Sequence, residues 1–184
     1  FITQVYVHLM SIFILNITCK SCNNIRFHMK VYKLKFKQVI NSSLDEVFSF
    51  FSNPENLSKI TPKKLGFNIL TPTPIKMKEG QLIDYSIKLL GKKIRWRTMI
   101  TEYIPKVKFV DQQLKGPYSM WHHTHEFRDI DGKVEMIDEI YYIMPFGVLG
   151  RLVNFLFVSR DLNNIFKHRV EIINKIFDTN YKGK

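Results

Sequence analysis

Two strand-like runs joined by a tight turn constrain the fold more than any other part of the chain. Side chains alternate between the two faces of a strand, so every second residue from 121 to 127 shares one face. That face consists of Trp121, His123, His125 and Phe127. The following Asp131-Gly132 has the residue types that a two-residue hairpin turn requires. The sequence therefore predicts an antiparallel hairpin that presents both aromatic rings and imidazoles on one face.

The second run, residues 134–144, places Asp138, Ile140 and Tyr142 on a common face. If the two runs pair, this carboxyl group and this phenol lie beside the imidazoles. A plain hydrophobic core would carry Val or Leu at the central positions, because a buried imidazole must find hydrogen-bond partners. The pattern indicates the wall of a cavity that is partly apolar and partly polar.

The rest of the chain predicts an α+β protein. Residues 33–39 alternate, with Leu34 and Phe36 facing inward and the lysines outward, which is typical of a half-buried strand. Ser43 and Glu46 form a capping box that opens a short helix, and a second short helix follows near Leu57. At least four further strands, separated by turn signals, precede one long helix over residues 146–178. We expect the sheet to curl over this final helix.

These residues also resemble the SRPBCC superfamily, which includes the START and Bet v 1-like proteins, and in particular its polyketide cyclase/dehydrase-like branch. The resemblance rests on Trp-x-His-x-His-x-Phe at 121–127 and on Asp-x-x-x-Tyr-x-x-Pro-Phe-Gly-x-Leu-Gly at 138–150, with further matches in 47–62 and 165–169. It implies a helix-grip fold: a curved antiparallel sheet of about six to seven strands wrapped around a long C-terminal helix, with two short helices after the first strand. It also implies a ligand cavity but no particular activity, because the superfamily spans lipid carriers, hormone receptors and cyclases.

The chain of 184 residues, 45% of them hydrophobic, suits a single domain, which we place at 29–178 with a tail at 179–184. Residues 1–28 do not follow the domain pattern, and we expect them to be upstream or fragmentary sequence, with an N-terminal membrane anchor or signal as the alternative. Both cysteines, Cys19 and Cys22, lie there, and without further ligands nearby we expect no chemistry from them. The domain itself has no cysteine, which favours a cytoplasmic protein.

The net charge of +12 invites a nucleic-acid or membrane partner. The basic residues are 21 lysines and seven arginines, whereas base recognition favours arginine, so we expect no nucleic acid. In the final helix, Val153 and Phe157 project away from the core stripe. Either other loops cover them, or they contact a second subunit or, transiently and with the basic surface, an anionic membrane. The oligomeric state stays open.

Arg169 falls inside the apolar arc of the final helix and needs an acceptor if it is buried. Asp138 is the partner we predict, with Asp111 and Glu126 as weaker candidates and a position at the solvent-exposed rim as the alternative. The residues predicted to bind a ligand are Tyr85, Trp96, Phe109, Trp121, His123, His125, Asp138, Tyr142, Phe166 and Arg169.

Four uses of this polar set are compatible with the sequence. The first is a passive pocket for a small hydrophobic ligand, lipid or polyketide-like. The second is acid–base catalysis by His123, His125 and Asp138, as in a cyclase or dehydratase. The third is a metal site, with Asp138 or the outward-facing His122 as third ligand, and the fourth is purely structural. A regulatory interaction domain is a further alternative. We favour a carrier or sensor over an enzyme, and expect neither a metal nor a cofactor.

Overall fold

The computed structural model describes residues 29–89 and 91–177. The expectations for residues 1–28, with Cys19 and Cys22, and for the tail 179–184 concern parts of the chain outside the described residues. Within them, seven strands form one antiparallel sheet in the order β1-β7-β6-β5-β4-β3-β2. The strands are β1 Val31–Ile40, β2 Asn68–Ile69, β3 Leu82–Leu89, β4 Lys92–Ile104, β5 Lys108–Lys115, β6 Met120–Ile130 and β7 Lys133–Ile143.

The predicted hairpin is the pair β6 and β7. Asp131 and Gly132 close it with φ values of 55° and 78°, and positive φ at both central residues is what a type I′ turn needs. The chain then places β1 on the other side of β7. In β1 the lysine side chains at alternate positions are exposed or half-buried, as the predicted alternation requires.

Two short helices follow the first strand, as predicted. The Oγ of Ser43 accepts a hydrogen bond from the backbone N–H of Glu46 at 3.4 Å, so the capping box opens the first helix. The long final helix begins at Gly147 and contains a π-helical turn. The helical elements are α1 Leu44–Phe51, a 3₁₀ turn Pro54–Asn56, α2 Leu57–Ile60, a 3₁₀ turn Lys63–Leu65, α3 Gly147–Val153, the π-helical turn Asn154–Val158 and α4 Ser159–Phe177.

The start of the final helix depends on close packing of its backbone. Phe146 and Gly147 both have positive φ, at 65° and 52°, so the chain turns sharply out of β7. A Cβ at Gly150 would lie 1.9 Å from the carbonyl oxygen of Pro145. Only glycine fits this approach, which is the structural reason for the Pro-Phe-Gly-x-Leu-Gly pattern.

The helix α4 packs onto the buried face of the sheet. Phe166 stacks on Phe36 of β1 with ring centroids 4.6 Å apart, and Ile173 packs in the same cluster as Phe127 of β6. This arrangement is the helix-grip α+β fold that was predicted. Among the described residues, no helix combines the length and the apolar character needed to span a membrane.

Candidate functional site: a polar cluster in the wall of an aromatic cavity

A cavity of about 170 Å³ lies between the sheet, α1, α2 and α4. Aromatic and aliphatic side chains form most of its lining. The predicted ligand-binding residues that line it are Tyr85, Trp96, Phe109, Trp121, His123, His125, Phe166 and Arg169. Asp138 and Tyr142 do not belong to the lining, although both are buried.

Stacked and edge-on rings give the cavity its rigid wall. Tyr85 stacks on Trp96 at 5.7 Å between centroids, and Trp96 meets Trp121 edge-on at 5.5 Å. Phe109 stacks on the imidazole of His125 at 4.2 Å. Such ring pairs contribute about 0.5–1.5 kcal/mol each beyond the area they bury.

The strand register brings two carboxyl groups to two imidazoles. In the pairing of β5 with β6, Asp111 lies opposite His123. In the pairing of β6 with β7, Asp138 lies opposite His125. Because side chains directly opposite on one face are close neighbours, the four residues form a compact polar cluster. We call Asp111, His123, His125 and Asp138 the His–Asp cluster.

Four contacts connect the cluster. Nε2 of His123 lies 3.0 Å from Oδ1 of Asp138, and Nε2 of His125 lies 3.0 Å from Oδ2 of Asp111. Nδ1 of His123 is 3.4 Å from Oδ2 of Asp111. Nδ1 of His125 is 2.8 Å from Oδ1 of Asp138, but the alignment is too poor for a hydrogen bond. The two imidazoles are 5% exposed each, with centroids 3.8 Å apart.

Burial and mutual charge determine the protonation of the cluster. Burial, followed by the charge of His125, lowers the pKa of His123 below its ordinary value. Burial opposes the charged form of His125 too, but its contacts with Asp111 and Asp138 outweigh this and raise its pKa. Burial likewise opposes ionisation of the two carboxyl groups, yet contacts with the imidazoles hold the pKa of Asp138 far below its usual range and lower that of Asp111. The surroundings therefore favour the neutral form at His123 and the cationic form at His125.

The fold and cavity can now be compared with solved structures. The Zhui aromatase/cyclase from Streptomyces sp. R1128 superposes with a TM-score of 0.60 at 11% identity, covering 82% of this chain and 99% of that chain. A START superfamily protein from Mycobacterium smegmatis superposes with a TM-score of 0.60 at 12% identity, covering 78% of this chain and 98% of that chain. Ginseng major latex-like protein 151 from Panax ginseng superposes with a TM-score of 0.57 at 12% identity, covering 80% of this chain and 98% of that chain. This chain has the START and Bet v 1-like fold. No family model and no curated protein matches its sequence.

Within this START-like fold, the predicted partner of Arg169 is wrong. Asp138 contacts the two imidazoles, and no carboxylate among residues 29–89 and 91–177 lies within ion-pair distance of the Arg169 guanidinium. The guanidinium instead lies over the ring of Phe166, 4.7 Å from its centroid, a cation–π contact. The buried Nε of Arg169 has no hydrogen-bond partner in the described part of the chain.

Tyr142 also differs from its predicted place. Its hydroxyl donates to Oδ1 of Asn154 in the π-helical turn at 2.9 Å, and both residues are buried. Burial, the largest cause, raises the pKa of this phenol above its ordinary value. Tyr142 therefore connects the sheet to the final helix and does not face a cavity ligand.

The cavity position of Asp111 was not predicted from the sequence. Asp111 was expected only as a weaker partner for Arg169, whereas the structure places it in the cavity wall against both imidazoles. Thr98 of β4 supports it, since its hydroxyl donates to Oδ1 of Asp111 at 3.3 Å. The available signal was the shared face of Phe109 and Asp111, two residues apart on one strand.

A second region of interest is an exposed apolar surface at the start of the final helix. Phe155 is 81% exposed, and the surface also includes Val148, Leu152 and Leu156. We call these four residues the apolar patch. The predicted residues, Val153 and Phe157, are half-buried instead. The π-helical turn at 154–158 widens the helix, so the residues within and before it are rotated relative to a regular α-helical wheel drawn from α4.

Proposed function

We propose that this chain binds a small hydrophobic ligand in the cavity beneath α4, as a carrier or sensor. The observation that carries this proposal is a cavity between sheet and helix that is lined mainly by aromatic and aliphatic side chains. Ligand sites usually have such linings, with a few polar groups that orient the ligand. The START superfamily protein and the latex-like protein of similar fold support it at the level of the fold.

The cavity volume limits the ligand. An apolar cavity of about 150 Å³ accommodates benzene, so about 170 Å³ is room for roughly one ring. A lipid or a polyketide-like compound of several rings needs a wider cavity, because ligand sites usually measure about 300–1,000 Å³. Such a ligand would enter only if α2 or α4 moved away from the sheet.

The unpaired donors in the wall suggest the polar end of the ligand. Nε1 of Trp96 and Nε of Arg169 are buried and have no hydrogen-bond partner among the described residues. Each buried, unsatisfied donor costs about 1–3 kcal/mol. A ligand with a carboxylate or carbonyl oxygen would offset that cost, and a carboxylate would also pair with the guanidinium.

Native mass spectrometry of the full chain, purified from its own cells, tests the proposal together with a fluorescence titration. Trp96 and Trp121 are the only tryptophans of the chain, and both line the cavity. Benzoate, a one-ring carboxylate, and oleate, a lipid, should each be tested as probes. We expect a co-purifying compound or a saturable change in tryptophan emission. If neither occurs, the proposal is wrong, and if a bound compound is converted, the cyclase or dehydratase alternative is favoured.

A matched pair of variants localises the binding. Ile87→Phe adds a ring inside the cavity, where Ile87 is buried in the lining. Val39→Phe adds the same ring on the exposed side of β1. The first variant should abolish the emission change and the second should keep it. Equal binding by both would place the probe outside the cavity.

We further propose that the apolar patch contacts an anionic membrane. A groove beside Phe155 is lined by the three basic residues Lys30, Arg151 and Arg160, and the whole chain carries a net charge of +12. Apolar side chains flanked by cations are typical of helices that lie in a membrane interface, where each cation contributes about 1 kcal/mol. A cytoplasmic location, favoured by the cysteine-free domain, would place this surface beside the anionic leaflet.

Sedimentation with phosphatidylcholine vesicles, with and without phosphatidylserine, tests the membrane contact. We expect binding only with phosphatidylserine, weakened by added salt and lost in Phe155→Ser. Leu114→Ser is the control, because Leu114 is exposed on β5, three strands away from β1. If size-exclusion chromatography shows that Phe155→Ser turns a dimer into a monomer, and vesicles do not bind, the patch is a subunit interface and the membrane proposal fails.

A further inference from the structure

The His–Asp cluster has two sides that differ in chemistry. On the outer side, one atom, Oδ1 of Asp138, lies 3.0 Å from Nε2 of His123 and 2.8 Å from Nδ1 of His125. On the inner side, the remaining ring nitrogens both face Oδ2 of Asp111, at 3.4 Å for His123 and 3.0 Å for His125. Asp111 and both imidazoles line the cavity, whereas Asp138 does not.

No favourable placement of protons turns all four nitrogen–oxygen contacts of the cluster into hydrogen bonds. A carboxylate only accepts hydrogen bonds, so every contact in the cluster needs a proton on the imidazole. Two cationic imidazoles with centroids 3.8 Å apart would put like charges in contact in a buried place. If one imidazole is neutral, one of its two nitrogens carries no proton. That nitrogen and the carboxylate oxygen that it faces are then both hydrogen-bond acceptors, and they repel each other. A single metal cation between the inner nitrogens and Asp111 would replace that repulsion with coordination.

We propose that Asp111, His123 and His125 together bind one divalent transition-metal ion at the cavity wall. Their three ligand atoms lie within 4.8 Å of one another. Metal–ligand bonds of about 2.1 Å in tetrahedral geometry separate ligand atoms by about 3.4 Å, so small side-chain rotations complete the site. Two imidazoles and one carboxylate suit Zn²⁺, Fe²⁺ or Co²⁺ better than Mg²⁺ or Ca²⁺, which prefer oxygen ligands.

Asp138 then has the role of an outer-shell residue. Metal-binding histidines usually donate their second ring N–H to a carboxylate, which fixes the tautomer and the ring orientation. Here the carboxylate of Asp138 is hydrogen-bonded to Nε2 of His123 at 3.0 Å and lies 2.8 Å from Nδ1 of His125, where a small rotation of the ring would align a second bond. The charges also balance, because the two carboxylates neutralise a divalent ion. Three protein ligands leave at least one coordination position open, and it faces the cavity that all three ligands line.

The metal alone is the probe for this site. The full chain should be made without an affinity tag and with Cys19→Ser and Cys22→Ser, so that thiols do not contribute. After treatment with EDTA, it is titrated with Co²⁺ by visible absorption and with Zn²⁺ by competition. We expect one ion per chain, with the ligand-field bands of a nitrogen- and oxygen-coordinated Co²⁺. NMR of the imidazole groups should show paramagnetic shifts centred on His123 and His125.

Three substitutions decide the outcome. Asp111→Asn, which keeps the side-chain shape, should weaken the metal affinity by about 100-fold or more, because it removes a charged ligand. Asp138→Asn should weaken it by about 10- to 100-fold without changing the stoichiometry. His122→Ala, on the opposite face of the same strand, should change nothing. Circular dichroism verifies that each variant is folded. No binding by the parent protein, or equal binding by Asp111→Asn, overturns the proposal, and the NMR shifts decide it if that variant does not fold.

Discussion

The His–Asp cluster and the apolar patch depart in opposite ways from the usual distribution, in which apolar side chains are buried and ionisable ones are exposed. The cluster places Asp138 and two imidazoles in the interior, where charged groups are rare unless paired, with the half-buried Asp111 beside them. The patch exposes large apolar side chains, one of them 81% accessible. The members of the cluster contact one another between three paired strands, so the cluster is tied to the stability of the fold. The patch has no partner in the described residues, so its removal should leave the fold intact.

Substitutions in the two regions should therefore separate stability from function in different ways. A change in the cluster alters both, because an unpaired buried charge costs several kcal/mol. A change in the patch should alter an interaction and leave the free energy of unfolding nearly constant, because single exposed side chains contribute little.

Asp138→Ala should produce the largest loss of stability. It removes the acceptor that both imidazoles contact and leaves a buried cation with one partner fewer, so we expect a loss of about 3–5 kcal/mol in the free energy of unfolding. Urea denaturation at neutral pH measures it. A loss below about 1 kcal/mol would mean that the His–Asp cluster contributes little to the stability of the fold.

Zn²⁺ should stabilise the folded chain through the cluster. At a free Zn²⁺ concentration 100 times its Kd, a ligand specific for the native state raises the free energy of unfolding by about 2.7 kcal/mol. Thermal unfolding of the cysteine-free variant should show the shift, and Asp111→Asn should remove it. Stabilisation of Asp111→Asn to the same extent would point to a different metal site.

Tyr142→Phe, also a change in the interior, should reduce the stability of the fold less than Asp138→Ala does. It removes the buried hydrogen bond to Asn154 and keeps the ring, so the expected loss is about 1–2 kcal/mol. Cavity binding of benzoate should persist, because Tyr142 does not line the cavity. If binding is lost while the fold is retained, the phenol takes part in the site after all.

Phe155→Ser should have the smallest effect on stability. The ring is mostly exposed, so the free energy of unfolding should change by no more than about 0.5 kcal/mol. Binding of benzoate should not change, while binding to phosphatidylserine vesicles should be lost. Destabilisation by more than about 1 kcal/mol would show that the patch is packed against another part of the chain.

Local sequence patterns were sufficient to predict most of the fold. The alternation in β1 and β6, the Asp131-Gly132 turn and the capping box at Ser43 each depend on residues close in sequence. Because a tight turn also sets the register of its hairpin, the sequence placed Asp138 beside the imidazoles. The long final helix was equally predictable from its apolar arc.

Tertiary structure decided the parts that depend on distant register and on helix winding. β5 and β6 are joined by a longer connection than the tight turn between β6 and β7, and β5 has register irregularities with β4, so no local rule places Asp111 opposite His123. The π-helical turn rotates Phe155 outward, and its wider winding is not visible in an ideal wheel. Arg169 lies over Phe166, one turn earlier on its own helix, whereas its predicted partner Asp138 contacts the two imidazoles of the neighbouring strand. The sequence by itself therefore determined the fold class and the inward-facing imidazoles, whereas packing between distant elements determined which groups surround them.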